Sequence, residues 1–185
     1  MVQPHLIVVA GPPAAGKTTL AHQIARALRL PVICKDTLKE SLFDHLGTGD
    51  RARSQQLGYA VVRCMVALAK EILLAGASVI LESTFIHPDT PGELQKLIEA
   101  TDARLSVVYC TAAPEILAAR FSARSQAARH PGHLDGVTSA AEFSRRGYLN
   151  RPGYPGQVIP VDTTDFDTVS VAATVERLGH CRPSK

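Results

Sequence analysis

The chain has 185 residues, of which 45% are hydrophobic and 20% are charged, with a formal net charge of +3. These values are typical of one globular domain and exclude a largely disordered chain. The basic residues are spread along the sequence rather than gathered in runs, so binding of long nucleic acid is neither required nor excluded.

The first predicted strand, Leu6 to Ala10, leads into a glycine-containing loop and then a helix. The loop has the pattern G-x-x-x-x-G-K-[ST], in which backbone amides and a helix N-terminus surround phosphates. In this pattern Lys17 reaches the outer phosphates and the hydroxyl of Thr18 ligates Mg²⁺. A plain glycine turn is the alternative. We expect an NTP site whose contacts are Gly11, Ala14, Ala15, Gly16, Lys17, Thr18 and Thr19.

Hydrophobic spacing predicts that strands and helices alternate along the rest of the chain. Further strands are predicted at 31–34, 78–82, 104–110 and 157–161. Helices are predicted at about 18–28, 36–46, 53–74, 91–100, 114–124, 139–146 and 166–178, with an irregular polar segment at 125–137. This alternation predicts an α/β fold with a mostly parallel sheet between helices.

The four cysteines, Cys34, Cys64, Cys110 and Cys181, are far apart and form no C-x-x-C pair. Cys34 and Cys110 lie in apolar segments and are most simply buried, reduced thiols, which predicts a cytoplasmic protein. The first strand follows Met1 within a few residues, so we expect no signal peptide. No apolar stretch has the length of a membrane span.

Ligands of parallel sheets bind beyond the carboxyl ends of the strands, so acidic residues there are candidates for chemistry. Asp36 follows the second strand and is a candidate general base in phosphoryl transfer, or else a plain helix N-cap. Glu82 ends the third strand and is a candidate to hold Mg²⁺ or to orient the acceptor. A surface acid after a strand is the alternative for Glu82.

Arginines near the irregular segment are candidates to stabilise the negative charge of a phosphoryl-transfer transition state. Arg120 and Arg124 lie four residues apart on one helix face, and Arg129 follows them. Together they are typical of a lid that closes over a triphosphate, although a solvated helix face and loop would look the same. His130 and His133 are interpreted as loop histidines, since no third metal ligand is apparent.

These residues resemble a group of P-loop kinases that includes zeta-toxin-type kinases, chloramphenicol phosphotransferase and the kinase domain of polynucleotide kinases. The likeness rests on the loop GPPAAGKTTL, the segment KDTLK at 35–39 and the turn Asp162-Thr163-Thr164. The resemblance implies a five-stranded parallel sheet in the order 2-3-1-4-5, ATP, Mg²⁺ and a lid at about 125–150. It also implies Asp36 as the general base and Asp162 near the adenine. Many relatives have Asp where this chain has Glu82.

We therefore expect a single P-loop kinase domain over 1–185 that transfers the γ-phosphoryl group of ATP to a hydroxyl of a small molecule. The expected catalytic residues are Lys17, Asp36, Arg120 and Arg124, with Arg120 also on the nucleotide and Thr18 and Glu82 on Mg²⁺. Polar candidates for the acceptor site are Lys39, Arg51, Arg53, Gln55, Tyr59 and Arg63. A kinase of nucleosides or nucleic-acid 5′ ends, and an ATPase switch with a protein partner, stay open as alternatives. The acceptor, and whether the protein is a monomer or a homodimer, also stay open.

Overall fold

The structure, a computed structural model, describes residues 3–126, 129–134 and 138–179. Its strands are β1 (His5–Ala10), β2 (Val32–Cys34), β3 (Val79–Glu82), β4 (Arg104–Thr111) and β5 (Gln157–Asp162). Its helices are α1 (Lys17–Leu28), α2 (Lys35–Leu46), α3 (Arg51–Leu74), α4 (Thr90–Thr101), α5 (Pro114–Gln126), α6 (Ala140–Arg145), a short 3₁₀ helix (Phe166–Thr168) and α7 (Val171–Arg177). Within the described ranges, no helix is both long enough and apolar enough to cross a bilayer.

The five strands form one parallel sheet in the order β2-β3-β1-β4-β5, which confirms the predicted architecture. Glu82 at the end of β3 is in register with Cys34 of β2 on one side and with Val9 of β1 on the other. The carboxyl ends of these three strands therefore meet at one level. Glu82 lies at that edge of the sheet, and the phosphate loop and Asp36 follow strands that end there.

The sheet is covered on both faces because side chains of β1 alternate between two cores. Leu6 and Val8 pack in one core together with buried residues of α3 and α4, such as Met65. Ile7 and Val9 pack in the other core with residues of α1, such as Ile24. All six residues of β1 are buried, so the phosphate loop extends from the interior of the molecule.

Two predicted helix boundaries are wrong. The N-cap of α2 is Cys34, and Asp36 lies inside the first turn, so Asp36 does not cap the helix. The last segment is not one helix over 166–178 but a 3₁₀ helix followed by α7. The break has a local cause, because Asp165 accepts a bond from the Asp167 amide and Ser170 accepts one from the Ala173 amide. Each side chain starts its own helical segment.

Candidate active site

The loop between β1 and α1 curls because several of its residues have positive φ angles. Gly11 has φ +135°, and a Cβ there would lie 2.2 Å from the carbonyl oxygen of Cys110, so only glycine fits. Ala14 (φ 63°) and Gly16 (φ 71°) are also left-handed, and Gly16 is the N-cap of α1. The curled backbone brings the loop around the N-terminus of a 12-residue helix, where anions are favoured.

A pocket of about 240 Å³ lies over this loop. Its walls are Ala14, Gly16, Lys17, Thr18, Thr19, Arg120 and Arg124. Lys17 is buried, its Nζ donates to the carbonyl oxygen of Pro12 at 2.7 Å, and burial lowers its pKa. The predicted contacts Gly11 and Ala15 are buried in the loop and do not line the pocket. We refer to this space as the loop pocket.

Thr18 and Glu82 lie together at the edge of the loop pocket. Thr18 Oγ1 donates to Glu82 Oε2 at 3.2 Å, and Glu82 is buried. Burial raises the pKa of Glu82, although the charge of Lys17 opposes that effect. A hydroxyl and a carboxylate are the hard oxygen donors that Mg²⁺ prefers, and Mg²⁺ takes its other ligands from water and substrate phosphates. No group of three or more His, Cys, Asp or Glu suited to a metal occurs among the described residues, and the Thr18–Glu82 pair fits Mg²⁺ without one.

Asp36 lies next to the phosphate loop, in a second pocket of about 160 Å³ that we call the central pocket. Lys17, Thr18 and Glu82 line one side of it. Its other polar walls are Lys35, Asp36, Lys39, Ser83, Thr84, Arg124, Arg129 and His133. Arg129 Nη2 is 3.1 Å from Asp36 Oδ2. Burial alone would raise the pKa of Asp36, but the positive charges of His133, Arg129 and Lys35 outweigh it and lower the pKa.

Residues 129–134 dock on α2 and bring Arg129 to Asp36. His130 Nε2 is 3.1 Å from Asp44 Oδ1, and His133 Nε2 is 2.8 Å from Glu40 Oε1. The carbonyl oxygen of Gly132 accepts a bond from Ser54 Oγ at 3.1 Å. The two histidines thus bond acidic side chains of α2. Arg129 was one of several arginines predicted from the sequence to belong to a lid, and in the structure it contacts Asp36.

The two arginines of α5 face the phosphate loop in different ways. Arg120 donates to the carbonyl oxygens of Thr163 and Thr164, at 2.9 and 3.0 Å, and so joins the loop pocket to the turn after β5. Arg124 lines both the loop pocket and the central pocket. The predicted lid extends over about 125–150, and of it residues 125–126, 129–134 and 138–150 are described.

The turn after β5 contacts the phosphate loop through Thr163 and Phe166, and the position of Asp162 near the adenine stays a prediction. The Asp162 carboxylate accepts a bond from the Thr164 amide at 2.8 Å and is absent from the walls of the loop pocket. Instead, Thr163 Oγ1 donates to the Ala15 carbonyl at 3.1 Å, and the Phe166 ring lies against Gly16, where a Cβ would be 2.6 Å from Phe166 Cε2. An aromatic residue four positions after Asp162 was the only sequence signal for this contact.

A third pocket, of about 590 Å³, opens beside the central pocket and shares Lys35, Lys39, Ser83 and Thr84 with it. We call it the outer pocket. Four of the six predicted acceptor residues line it, namely Lys39, Gln55, Tyr59 and Arg63. Arg51 and Arg53, one helical turn earlier on α3, are absent from its walls. Its apolar part comes from Val62, Phe85, Ile86 and Pro88.

Residues 6–142 match the model of the family described as "AAA domain". A solved structure described as "a putative kinase from chloroflexus aurantiacus" is 35% identical, with a TM-score of 0.87 over 96% of this chain and 98% of that chain. The cytidylate kinase of Pyrobaculum arsenaticum is 27% identical over 146 residues, which cover 78% of this chain and 73% of the relative. Kti12 of Chaetomium thermophilum has a TM-score of 0.68 at 18% identity, over 97% of this chain and 100% of that chain, and shows the fold alone.

The family match includes β1, the phosphate loop, Asp36, Glu82 and both arginines of α5. It identifies P-loop kinases in general, and the narrower likeness to zeta-toxin-type kinases, chloramphenicol phosphotransferase and polynucleotide kinases stays a prediction. With a nucleotide-binding loop at the edge of a 2-3-1-4-5 sheet and kinases among its relatives, the chain belongs to the AAA domain family and is a phosphotransferase of the P-loop kinase type.

Proposed function

We propose that the protein is an ATP-dependent kinase that transfers the γ-phosphoryl group to a hydroxyl of a small molecule. The observation that carries this proposal is the central pocket, where Lys17 and Thr18 of the phosphate loop face Asp36 across about 160 Å³. The outer pocket, which shares walls with the central pocket, has the volume of a small-molecule site. The donor phosphates and the acceptor would thus approach each other from opposite sides of the central pocket.

The loop pocket would hold the triphosphate of ATP. In this arrangement Lys17 leaves the Pro12 carbonyl for the outer phosphates, and the loop amides and the N-terminus of α1 surround the remaining oxygens. Thr18 and Glu82 would hold Mg²⁺, which when bound neutralises charge on the β- and γ-phosphates. Arg120 and Arg124 would stabilise the charge that spreads over the transferring group.

In the proposed step the acceptor hydroxyl attacks the γ-phosphorus and forms a new O–P bond. The bond from that phosphorus to the β,γ-bridging oxygen breaks, and ADP leaves. Asp36 takes the hydroxyl proton, because its lowered pKa keeps it ionised at neutral pH. Arg129 bonds Oδ2 of Asp36, so the acceptor hydroxyl would approach Oδ1 or share Oδ2 with Arg129.

A nucleotide or nucleoside acceptor is the second candidate, because a curated relative is a cytidylate kinase. In that case the attacking group is either a phosphate or a ribose hydroxyl. An ATPase switch that acts through a protein partner has less support. The charged pocket beside Asp36 is suited to a small acceptor rather than to a protein surface.

The proposal is tested by measuring ADP release from MgATP, with and without a pooled panel of sugars, sugar acids, nucleosides and nucleotides. We expect release to rise only with an acceptor, and Asp36→Asn to lower kcat by about 10²-fold or more because the general base is lost. Asp102→Asn is the matched control. Asp102 is at the C-cap of α4 in the left-handed region, where Asn is tolerated. Release that is slow, indifferent to every acceptor and equal in wild type and Asp36→Asn would contradict the kinase assignment.

A further inference from the structure

Two lysines of α2 converge between the central pocket and the outer pocket. Lys35 and Lys39 are four residues apart and therefore lie on one face of the helix. Both pass over Gly58 of α3, where a Cβ would be 3.6 Å from Lys35 Cε and Nζ and 3.7 Å from Lys39 Cε. Both lysines line both pockets, and neither lines the loop pocket.

The positive charge of this pair is not balanced by a bonded carboxylate within the described ranges. Lys39 is only 9% exposed, and its Nζ donates to the neutral Ser54 Oγ at 2.8 Å. The nearby carboxylate of Asp36 is bonded to Arg129. Burial and the neighbouring charge of Lys35 lower the pKa of Lys39, and they outweigh the opposing charge of Asp36, so the surroundings disfavour the charged form of Lys39. A buried cation is costly unless an anion accompanies it.

The two arginines in the wall of the outer pocket are each paired with a carboxylate, and Asp89 lies 3.6 Å from the exposed His87 ring. Arg63 Nη2 bonds Glu93 Oε1 at 2.7 Å, and Arg146 bonds Glu142. The two acids of the wall, Asp89 and Glu93, belong to the α4 end of the pocket, whereas Lys35 and Lys39 come from α2. The outer pocket therefore has a cationic end next to the central pocket, whereas the arginines and acids of its remaining wall lie at the α4 end or in ion pairs.

We propose that Lys35 and Lys39 form an oxyanion subsite, so that the acceptor is an alcohol that carries a phosphate or carboxylate group near the reacting hydroxyl. This inference rests on the proposed kinase function and names the class of its acceptor. The anion neutralises the lysine pair and holds the acceptor at the mouth of the central pocket. The hydroxyl is then presented to Asp36, and the rest of the molecule lies against Phe85 and Ile86 in the outer pocket.

The kinetic test compares matched acceptors with wild type, Lys35→Met and Lys39→Met. Among the sugars, glucose is neutral, gluconate carries a carboxylate and glucose 6-phosphate carries a phosphate. Cytidine is the neutral counterpart of CMP. We expect only anionic members to stimulate ADP release, and the gluconate and glucose 6-phosphate arms separate carboxylate from phosphate. Lys39→Met should raise the KM of the anionic acceptor by roughly 10- to 100-fold, the loss of one charge-assisted hydrogen bond, while the KM of MgATP is unchanged. Lys70→Met, an exposed lysine of α3, is the control.

A binding test separates failure of this inference from failure of the kinase function, because it needs no turnover. Inorganic phosphate is titrated calorimetrically into protein whose loop pocket is saturated with MgAMP-PNP. Binding to wild type and Lys70→Met, but at least about 10-fold weaker binding to Lys39→Met, supports the subsite even if no acceptor of the panel reacts.

Three results would overturn the inference. The first is phosphate binding that is undetectable in wild type or equal in Lys39→Met. The second is equal use of neutral and anionic acceptors. The third is a phosphoanhydride product from CMP, seen by ³¹P NMR, since the oxyanion would then be the attacking group rather than the anchor. A phosphate ester formed from CMP would instead support the inference.

Discussion

Asp36 is subject to two opposing effects on its pKa. Burial favours the neutral acid, whereas His133, Arg129 and Lys35 favour the carboxylate and outweigh burial. Burial lowers the pKa of His133 itself, whereas Arg129 is charged throughout. The lowered pKa keeps Asp36 ionised at neutral pH, and Arg129 contacts one of its two carboxylate oxygens.

Arg129→Met should raise the pKa of Asp36, because one of the opposing charges is removed and burial is less compensated. The acidic limb of kcat/KM for the acceptor, which reports the free enzyme, should therefore move to higher pH. Initial-rate profiles should start at about pH 3 and extend to about pH 8, because the pKa of Asp36 in the wild type lies below the ordinary value of a carboxyl group. Arg145→Met, an exposed arginine of α6, should leave the limb in place. A limb that stays or moves to lower pH in Arg129→Met contradicts the assignment.

The segment 129–134 is positioned by shape as well as by charge. Gly132 is buried against Phe43 of α2, and a Cβ on Gly132 would lie 2.2 Å from Phe43 Cδ2. The Phe43 ring is itself buried and stacks on His130, with ring centroids 5.4 Å apart. The close approach of the Gly132 backbone to Phe43 therefore holds the segment where it forms its ion pairs with α2, through Arg129, His130 and His133.

Gly132→Ala should separate this segment from α2, since overpacking of this kind costs about 1–3 kcal/mol and the docked segment is short. Trypsin cleavage after Arg129 should then become several-fold faster while the rest of the chain stays resistant. Gly153→Ala is the control, because a Cβ there meets nothing within 4 Å. If Arg129 is as protected in Gly132→Ala as in wild type, the glycine contact is not what holds the segment.

Contacts with several strands hold the phosphate loop against the sheet. β1 is central, fully buried and bonded to both β3 and β4, and the loop leaves from its carboxyl end. Gly11 packs directly on the backbone of Cys110 in β4. Thr163, after β5, bonds both the Ala15 carbonyl and the Thr111 carbonyl, so the loop is also tied to the far edge of the sheet.

Gly11→Ala should destabilise the whole molecule, because the added Cβ would lie 2.2 Å from the Cys110 carbonyl oxygen and the φ of +135° is unfavourable for alanine. A cost of about 2–4 kcal/mol is expected for such a clash with strained backbone. This corresponds to a fall in Tm of roughly 5–15 °C for a domain of this size. Gly92→Ala, in the first turn of α4 with open space around it, should be neutral or stabilising. Equal Tm values for the two variants would contradict the packing argument.

The sequence by itself determined the α/β class and the position of the phosphate loop, and the resemblance to P-loop kinases implied the strand order. These features depend on short segments, such as the strand, loop and helix from Leu6 to Leu28, whose pattern is local and specific. The carboxyl ends of parallel strands share one edge, so Asp36 and Glu82 were also placed near the loop by sequence reasoning alone. Helix boundaries were predicted less accurately. Cys34 makes no side-chain capping bond that a sequence pattern could reveal, and hydrophobic spacing over 166–178 obscured the preferred N-cap residue Ser170.

Only the tertiary structure decided which distant side chains meet. Arg129 and Asp36 are 93 residues apart, and their contact depends on how the segment 129–134 packs on α2. Phe166 reaches Gly16, and Lys35 and Lys39 share the space over Gly58, for the same reason. Such contacts arise from the packing of whole elements, where a shift of one helical turn replaces every partner. No pattern within a single segment of the sequence contains that information.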